Sequence, residues 1–139
     1  MLWTVGTHGE TKLSINDIGK EGERIARHIL KDTFKVDGLM QADWLCKKDG
    51  TWYCVEVKHK EPFQPPPFKG HGLESYQADM RMKLQNDLGV RCLFLVIDMD
   101  NTIYWQWLDE LEKTEYFTTR NGVRIYNIKY FKTAGKWAA

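Results

Sequence analysis

Apolar residues first recur at helical spacing over residues 13–31, where Ile18, Ile25, Ala26, Ile29 and Leu30 gather on one side. Ser14 or Asn16 is placed to cap this helix, while Gly19 and Gly22 either weaken it or mark the close approach of another backbone. The period then changes. Residues 41–47 and 51–60 read as strands, and the Asp49-Gly50 pair between them is a hairpin signal. The Pro-rich run EPFQPPPFKGH, residues 61–71, breaks regular structure. Helical spacing returns over residues 72–88, with Leu73, Tyr76, Met80 and Leu84 on one face and Gly89 as the stop. Residues 90–98, VRCLFLVID, are almost continuously apolar, as expected of a central strand covered on both faces. Residues 102–108 and 123–131 are further strands. Helix, hairpin, helix and three strands predict an α/β or α+β arrangement, a sheet with helices packed on it.

Composition narrows this without redirecting it. The chain has 139 residues, the length of one domain with one core, and its apolar content of 42% fits a folded protein. The three cysteines Cys46, Cys54 and Cys92 are an odd, widely spaced set, and read as small buried hydrophobes in a reducing compartment. His8, His28, His59 and His71 show no metal-ligand spacing. There is no signal-peptide-like run and no apolar stretch near the roughly 18 residues a membrane span needs, so a soluble, cytoplasmic protein is expected. A net charge of only +1 makes no bulk case for nucleic-acid binding, so any such function must rest on a local site.

One constellation carries chemistry. A two-residue Asp49-Gly50 turn sets Lys48 opposite Thr51 and, continued, Asp43 opposite Glu56 on one face of the hairpin. Lys58, two residues further on, shares that face, while Tyr53, Val55 and Val57 point the other way into a core. Two directly opposed carboxylates repel, and a divalent cation bound by hard oxygen ligands is one way to relieve that. The plain alternative is a solvated strand face with a weak salt-bridge cluster. Glu23 shares a helix face with Ala26 and Leu30, so it is either a third acid leaning toward the sheet or a surface glutamate near the first turn, with Glu21 as its competitor.

The run GKEGERIARHILK, then Asp43, then CVEVKHK, over residues 19–60, resembles the PD-(D/E)xK nuclease superfamily, and within it the small archaeal and phage-type Holliday junction resolvases. The resemblance implies a restriction-endonuclease-like core, a mixed central β-sheet flanked by helices. It implies Mg²⁺, with Mn²⁺ as a substitute, held by Asp43 and Glu56 with the Val57 carbonyl and Glu23 as further ligands. Glu23, Asp43, Glu56 and Lys58 become the catalytic set, with Lys58 positioning the nucleophile. The substrate implied is branched DNA, four-way junctions above all, cut by a two-fold dimer. Ala42 stands where the superfamily's name has proline, a loose position there.

Around this core, Gln77 is a candidate supporting residue, an amide that needs partners on the face of the second helix. Lys60, Phe68 and Lys69 lead out of the site as basic and aromatic candidates for nucleic-acid contact, or else simply pack the Pro-rich loop. Arg81, Lys83, Arg91, Lys47 and Lys48 are candidate phosphate contacts or solvated charges. The aromatic residues of 103–137 exceed what one small domain readily hides, which points to a homodimer interface. Another nuclease of the same superfamily, or a non-catalytic nucleic-acid-binding protein on this fold, are the competing readings.

Overall fold

The computed structural model describes residues 15–40 and 44–138. Helix α1 (Ile15–Asp32) is followed by strands β1 (Gly38–Met40), β2 (Leu45–Lys48), β3 (Thr51–His59) and β4 (Gly70–Glu74). Then come α2 (Ser75–Leu88), β5 (Arg91–Ile97), β6 (Thr102–Trp107), α3 (Leu108–Glu112), β7 (Phe117–Thr118), β8 (Val123–Asn127), a 3-10 turn (Ile128–Tyr130) and β9 (Lys132–Lys136). Among the described residues one sheet runs in the order β1-β2-β3-β5-β6-β9 and a smaller one in the order β4-β8-β7. Among the described strands only β3 and β5 pair in parallel, so the chain between them must cross over, and it does so through β4 and α2.

The central strand explains why both faces are covered. Leu93, Leu95 and Ile97 of β5 join Ile25, Ala26, Ile29 and Leu30 of α1 in one core, with Val55 of β3. Their neighbours Cys92, Phe94 and Val96 face the other way, into a second core with Ala78 of α2, Leu108 and Leu111 of α3 and Tyr126 of β8. The result is a mixed sheet with α1 on one face and α2, α3 and the small sheet on the other. The expected α/β class and the two-faced burial of residues 90–98 are therefore found.

The hairpin forms with the expected turn and register. Asp49 and Gly50 both take positive φ, 52° and 80°, the mirror-image turn that suits the right-handed twist of paired strands. Lys48 faces Thr51, and the ladder continues through Leu45 opposite Cys54. The described ladder ends there, next to Trp44 with a positive φ of 46°. Residues 41–43 lie outside the described residues, so the expected Asp43–Glu56 pairing falls beyond the described ladder.

Other expectations are corrected. The second helix begins at Ser75, not residue 72, because Gly70–Glu74 pairs with β8 as a strand. Of its expected apolar face Leu73, Tyr76, Met80 and Leu84, only Leu84 packs from the helix against the second core, beside Met82. Leu73 belongs to β4, Tyr76 and Met80 are each 59% exposed, and Ala78 is what the helix buries. Asn16 lies inside α1, not at a cap position, and Ser14 is outside the described residues. The strand over residues 123–131 ends at Asn127, where the Asn127 side chain accepts from the Lys129 N–H and starts the 3-10 turn. The aromatic residues at the C-terminal end are better hidden than their number suggested. Trp105 meets Phe34 edge-on at 5.2 Å and Trp107 meets Tyr53 at 5.1 Å, while Phe117 and Tyr130 are the ones left largely exposed among them.

Candidate active site

Strand β3 carries the Glu-Val-Lys sequence, and its alternation splits the site between the two faces of the sheet. Val55 and Val57 turn toward α1, so Glu56 is turned toward α2. Glu56 is only 8% exposed, and Arg81 of α2 donates from Nε to its Oε1 at 2.7 Å. A carboxylate this far from water needs such a partner. Burial works against the Arg81 charge, but the Glu56 hydrogen bond and charge outweigh it and hold the guanidinium pKa above its ordinary value.

On the opposite face, α1 lies close against the end of β3. Gly22 permits this: a Cβ there would sit 2.6 Å from the Cβ of His59. His59 in turn donates from Nδ1 to the Ile18 carbonyl at 3.0 Å. Gly22 therefore marks the close approach expected of it, whereas Gly19 has nothing within 4 Å of its Cβ position. Between helix and strand is a cleft of about 460 Å³ lined by Glu23, Val57, Lys58, His59 and Lys60. Glu23 accepts from Trp44 Nε1 at 3.2 Å, which ties it to the residue following Asp43. Glu21, its competitor, is taken by Arg24 at 2.8 Å, and that hydrogen bond lowers the Glu21 pKa. Lys58 has no carboxylate within salt-bridge distance among the described residues.

The same end of the sheet gathers further charge. Burial, then the neighbouring Lys58, holds the Lys60 pKa below that of an ordinary lysine, and its Nζ stands 5.1 Å over the Phe63 ring. Phe68 is half-buried and Lys69 exposed beside it; the Lys69 carbonyl accepts from the Ile128 N–H, joining the loop to the 3-10 turn. His71 is fully buried, packed on Tyr104 and Phe131, and neither ring nitrogen has a hydrogen-bond partner among the described residues. Burial, with Lys60 and Lys69 nearby, pushes its pKa down to about 4. Its Nε2 lies 3.9 Å from Asp98 at the end of β5, whose own carboxyl is raised by burial.

The structure thus lines one cleft at the end of β3 with Glu23, Val57 and Lys58, while Glu56, on the strand face that alternation also gives Lys58, pairs with Arg81 of α2. Gln77, one helical turn before Arg81, has a buried Oε1 without a partner. Asp43 lies outside the described residues. Lys83 and Arg91 are not free phosphate contacts, since they pair with Asp87 at 2.6 Å and Asp109 at 3.0 Å. The contact that sequence reasoning missed is the one between Arg81, read as a phosphate contact or a solvated charge, and Glu56, 25 positions away with no local signal linking them.

The donors match a hard divalent cation chemically, being carboxylate and carbonyl oxygens. Their arrangement is incomplete in the described part. No three Asp, Glu, His or Cys side chains converge to hold a metal among the described residues, and at Glu56 an arginine supplies the positive charge.

No protein-family model and no curated protein matches the chain at the sequence level. Among solved structures, the fold is similar to that of Hjc from Archaeoglobus fulgidus, a Holliday junction resolvase from an archaeal hyperthermophile. The match has a TM-score of 0.52 at 15% identity, and covers 85% of this chain and 98% of that one. The two share a fold. The likeness extends over nearly the whole of the archaeal protein, so the six-stranded mixed sheet with its flanking helices is the core that the sequence led us to expect. No described helix is long and apolar enough to cross a membrane.

Proposed function

We propose that this chain is a divalent-metal-dependent DNA endonuclease that selects four-way junctions and works as a homodimer. The observation that carries the reading is Lys58, a cation without a carboxylate partner among the described residues, set in a cleft with Glu23 on a strand whose Glu-Val-Lys sequence follows Asp43. The cleft lies at the carboxyl end of the parallel pair β3 and β5, where open α/β sheets hold their ligands. The fold it shares with an archaeal junction resolvase supports the substrate class.

In this reading Asp43, Glu56 and the Val57 carbonyl would hold Mg²⁺, for which Mn²⁺ substitutes, and Glu23, from α1, would hold a second ion or a metal-bound water. The ion, when bound, polarises the phosphoryl oxygen and activates water. The chain's own contribution is positioning. Lys58 meets the phosphate or the attacking water, Trp44 fixes the Glu23 carboxylate, and Lys60, Phe68 and Lys69 receive the flanking strand.

The test is cleavage of labelled four-way junction and matched linear duplex with Mg²⁺, comparing wild type with Asp43→Ala and Lys58→Met. Paired cuts in the junction alone, reduced about a thousandfold by either substitution, are expected. Equal cutting of duplex keeps the nuclease and removes the junction selectivity. One observation favours a second reading: Glu56 already has a cation, Arg81, which suits a protein that binds branched DNA without cutting it. Tight junction binding with no cleavage in Mg²⁺ or Mn²⁺ would establish that reading instead.

A further inference from the structure

The Glu56–Arg81 pair is half used. Arg81 spends Nε on Glu56 Oε1 at 2.7 Å, and among the described residues no partner is found for either of its terminal Nη groups. The Arg81 side chain is 24% exposed while that of Glu56 is 11% exposed, so the arginine is more accessible than the acid it holds. A planar guanidinium has donors in a fixed fork, and an arginine held by one edge can still present the other to an oxyanion. Strand alternation puts Lys58 on the Glu56 face. Gln77, four residues before Arg81 on α2, holds a buried amide oxygen without a partner, and its O and N ends are interchangeable by a flip.

From this we infer that Arg81 is a DNA-backbone contact as well as a counter-ion: its Nε positions Glu56, and its Nη groups bind a phosphate of the strand that enters the site. The inference rests on the nuclease reading, but concerns a residue that the reading does not assign. It makes Arg81 the link between substrate and acid. A phosphate drawn to the free edge of the guanidinium is thereby held at a fixed distance from the Glu56 carboxylate.

The experiment is DNA binding followed by fluorescence anisotropy with labelled four-way junction, in EDTA and across a salt series. Arg81→Gln alone leaves Glu56 as an unpaired buried charge and can unfold the chain. The comparison is therefore between Glu56→Gln, which keeps the arginine, and the double variant Glu56→Gln/Arg81→Gln, in which both partners are neutral. Thermal melts confirm that both are folded. The double variant is expected to bind about tenfold more weakly than Glu56→Gln, with a salt slope smaller by about one phosphate contact. In an otherwise wild-type chain, Arg81→Lys is expected to keep the slope but lose affinity, because an ammonium lacks the fork. Equal affinity and equal slope for Glu56→Gln and the double variant would overturn the inference while leaving the nuclease reading intact. No junction binding by the wild-type chain would overturn both.

Discussion

The two ends of the parallel pair β3 and β5 are built from the same strands and serve opposite purposes. At the amino end, Tyr53 and Leu93 open onto a cavity of about 200 Å³ walled by Leu30, Phe34, Trp105 and Trp107. Burial pushes the thiol of Cys46 in its wall up to about 11, so it stays a neutral hydrophobe at ordinary pH. At the carboxyl end the same strands deliver Lys58, His59, Lys60 and Asp98, with Glu23 across the cleft and His71 behind. The difference teaches where stability and chemistry are separated in this fold. At the amino end the cavity wall is mostly apolar, with Lys48 at its edge and Arg91 already paired with Asp109, whereas at the carboxyl end several charged and titratable side chains gather around one cleft.

That contrast can be broken or sharpened by substitution. The largest effect is expected at the apolar end. Leu30→Ala should lower unfolding stability by about 3 kcal/mol, since it enlarges an existing cavity, and leave junction affinity of the folded protein unchanged. Denaturant unfolding beside anisotropy would show this; a parallel loss of DNA binding would mean the two ends are not independent.

The next effect belongs to the charged end and depends on pH. His71 has a folded pKa of about 4, against about 6.5 in an unfolded chain. Between those values the unfolded chain binds a proton that the folded one does not. The contribution of His71 is therefore complete above about pH 6.5 and lost as pH falls toward 4, by on the order of 2–3 kcal/mol. The groups facing it, Lys60, Lys69, Asp98 and Tyr104, remain in His71→Phe, so the variant should lose this part of the pH dependence and keep the rest. Superimposable stability–pH curves for the two proteins would refute it.

The smallest effect is at Gly22. Alanine there meets the His59 Cβ, and displacement of α1 from β3 should lower stability by about 1–2 kcal/mol. It should also open the gap between Glu23 and Lys58, so cleavage falls by more than the melting temperature suggests. An activity loss explained wholly by unfolded protein would count against the proposed role of the cleft.

Much of this was legible in the sequence because it is local. Asp49-Gly50 specifies its own turn, and the turn specifies the register from Lys48 to Leu45. The run LFLVI announces a strand covered on both sides, and Gly22 announces a contact. What was illegible depends on distant or weak signals. Strand β4 hides in GHGLE after a proline run, and β9 in KTAGK, since short strands paired at an edge need little apolar character. Tyr76 and Met80 suggested a buried face, but the crossover places α2 so that Ala78 is the residue against the sheet. Arg81 was unreadable as the partner of Glu56, because α2 faces that acid only once β5 has taken its place beside β3. The expected extension of the hairpin to Asp43 lies outside the described residues, and the described ladder ends at Leu45, next to Trp44 with its left-handed φ.

The crossover also sets an order of events for the newborn chain. The β2–β3 hairpin closes through a two-residue turn and can form as soon as it is synthesised, carrying Glu56 and Lys58 with it. Its parallel neighbour arrives only after β4, α2 and the whole of β5 have followed, because Tyr53 pairs with Arg91 and His59 with Ile97. Until then Glu56 has no guanidinium beside it, and Lys58 stands on the part of β3 beyond its pairing with β2. The acid of the candidate site is thus buried only once the chain has been made through Ile97 of its 139 residues.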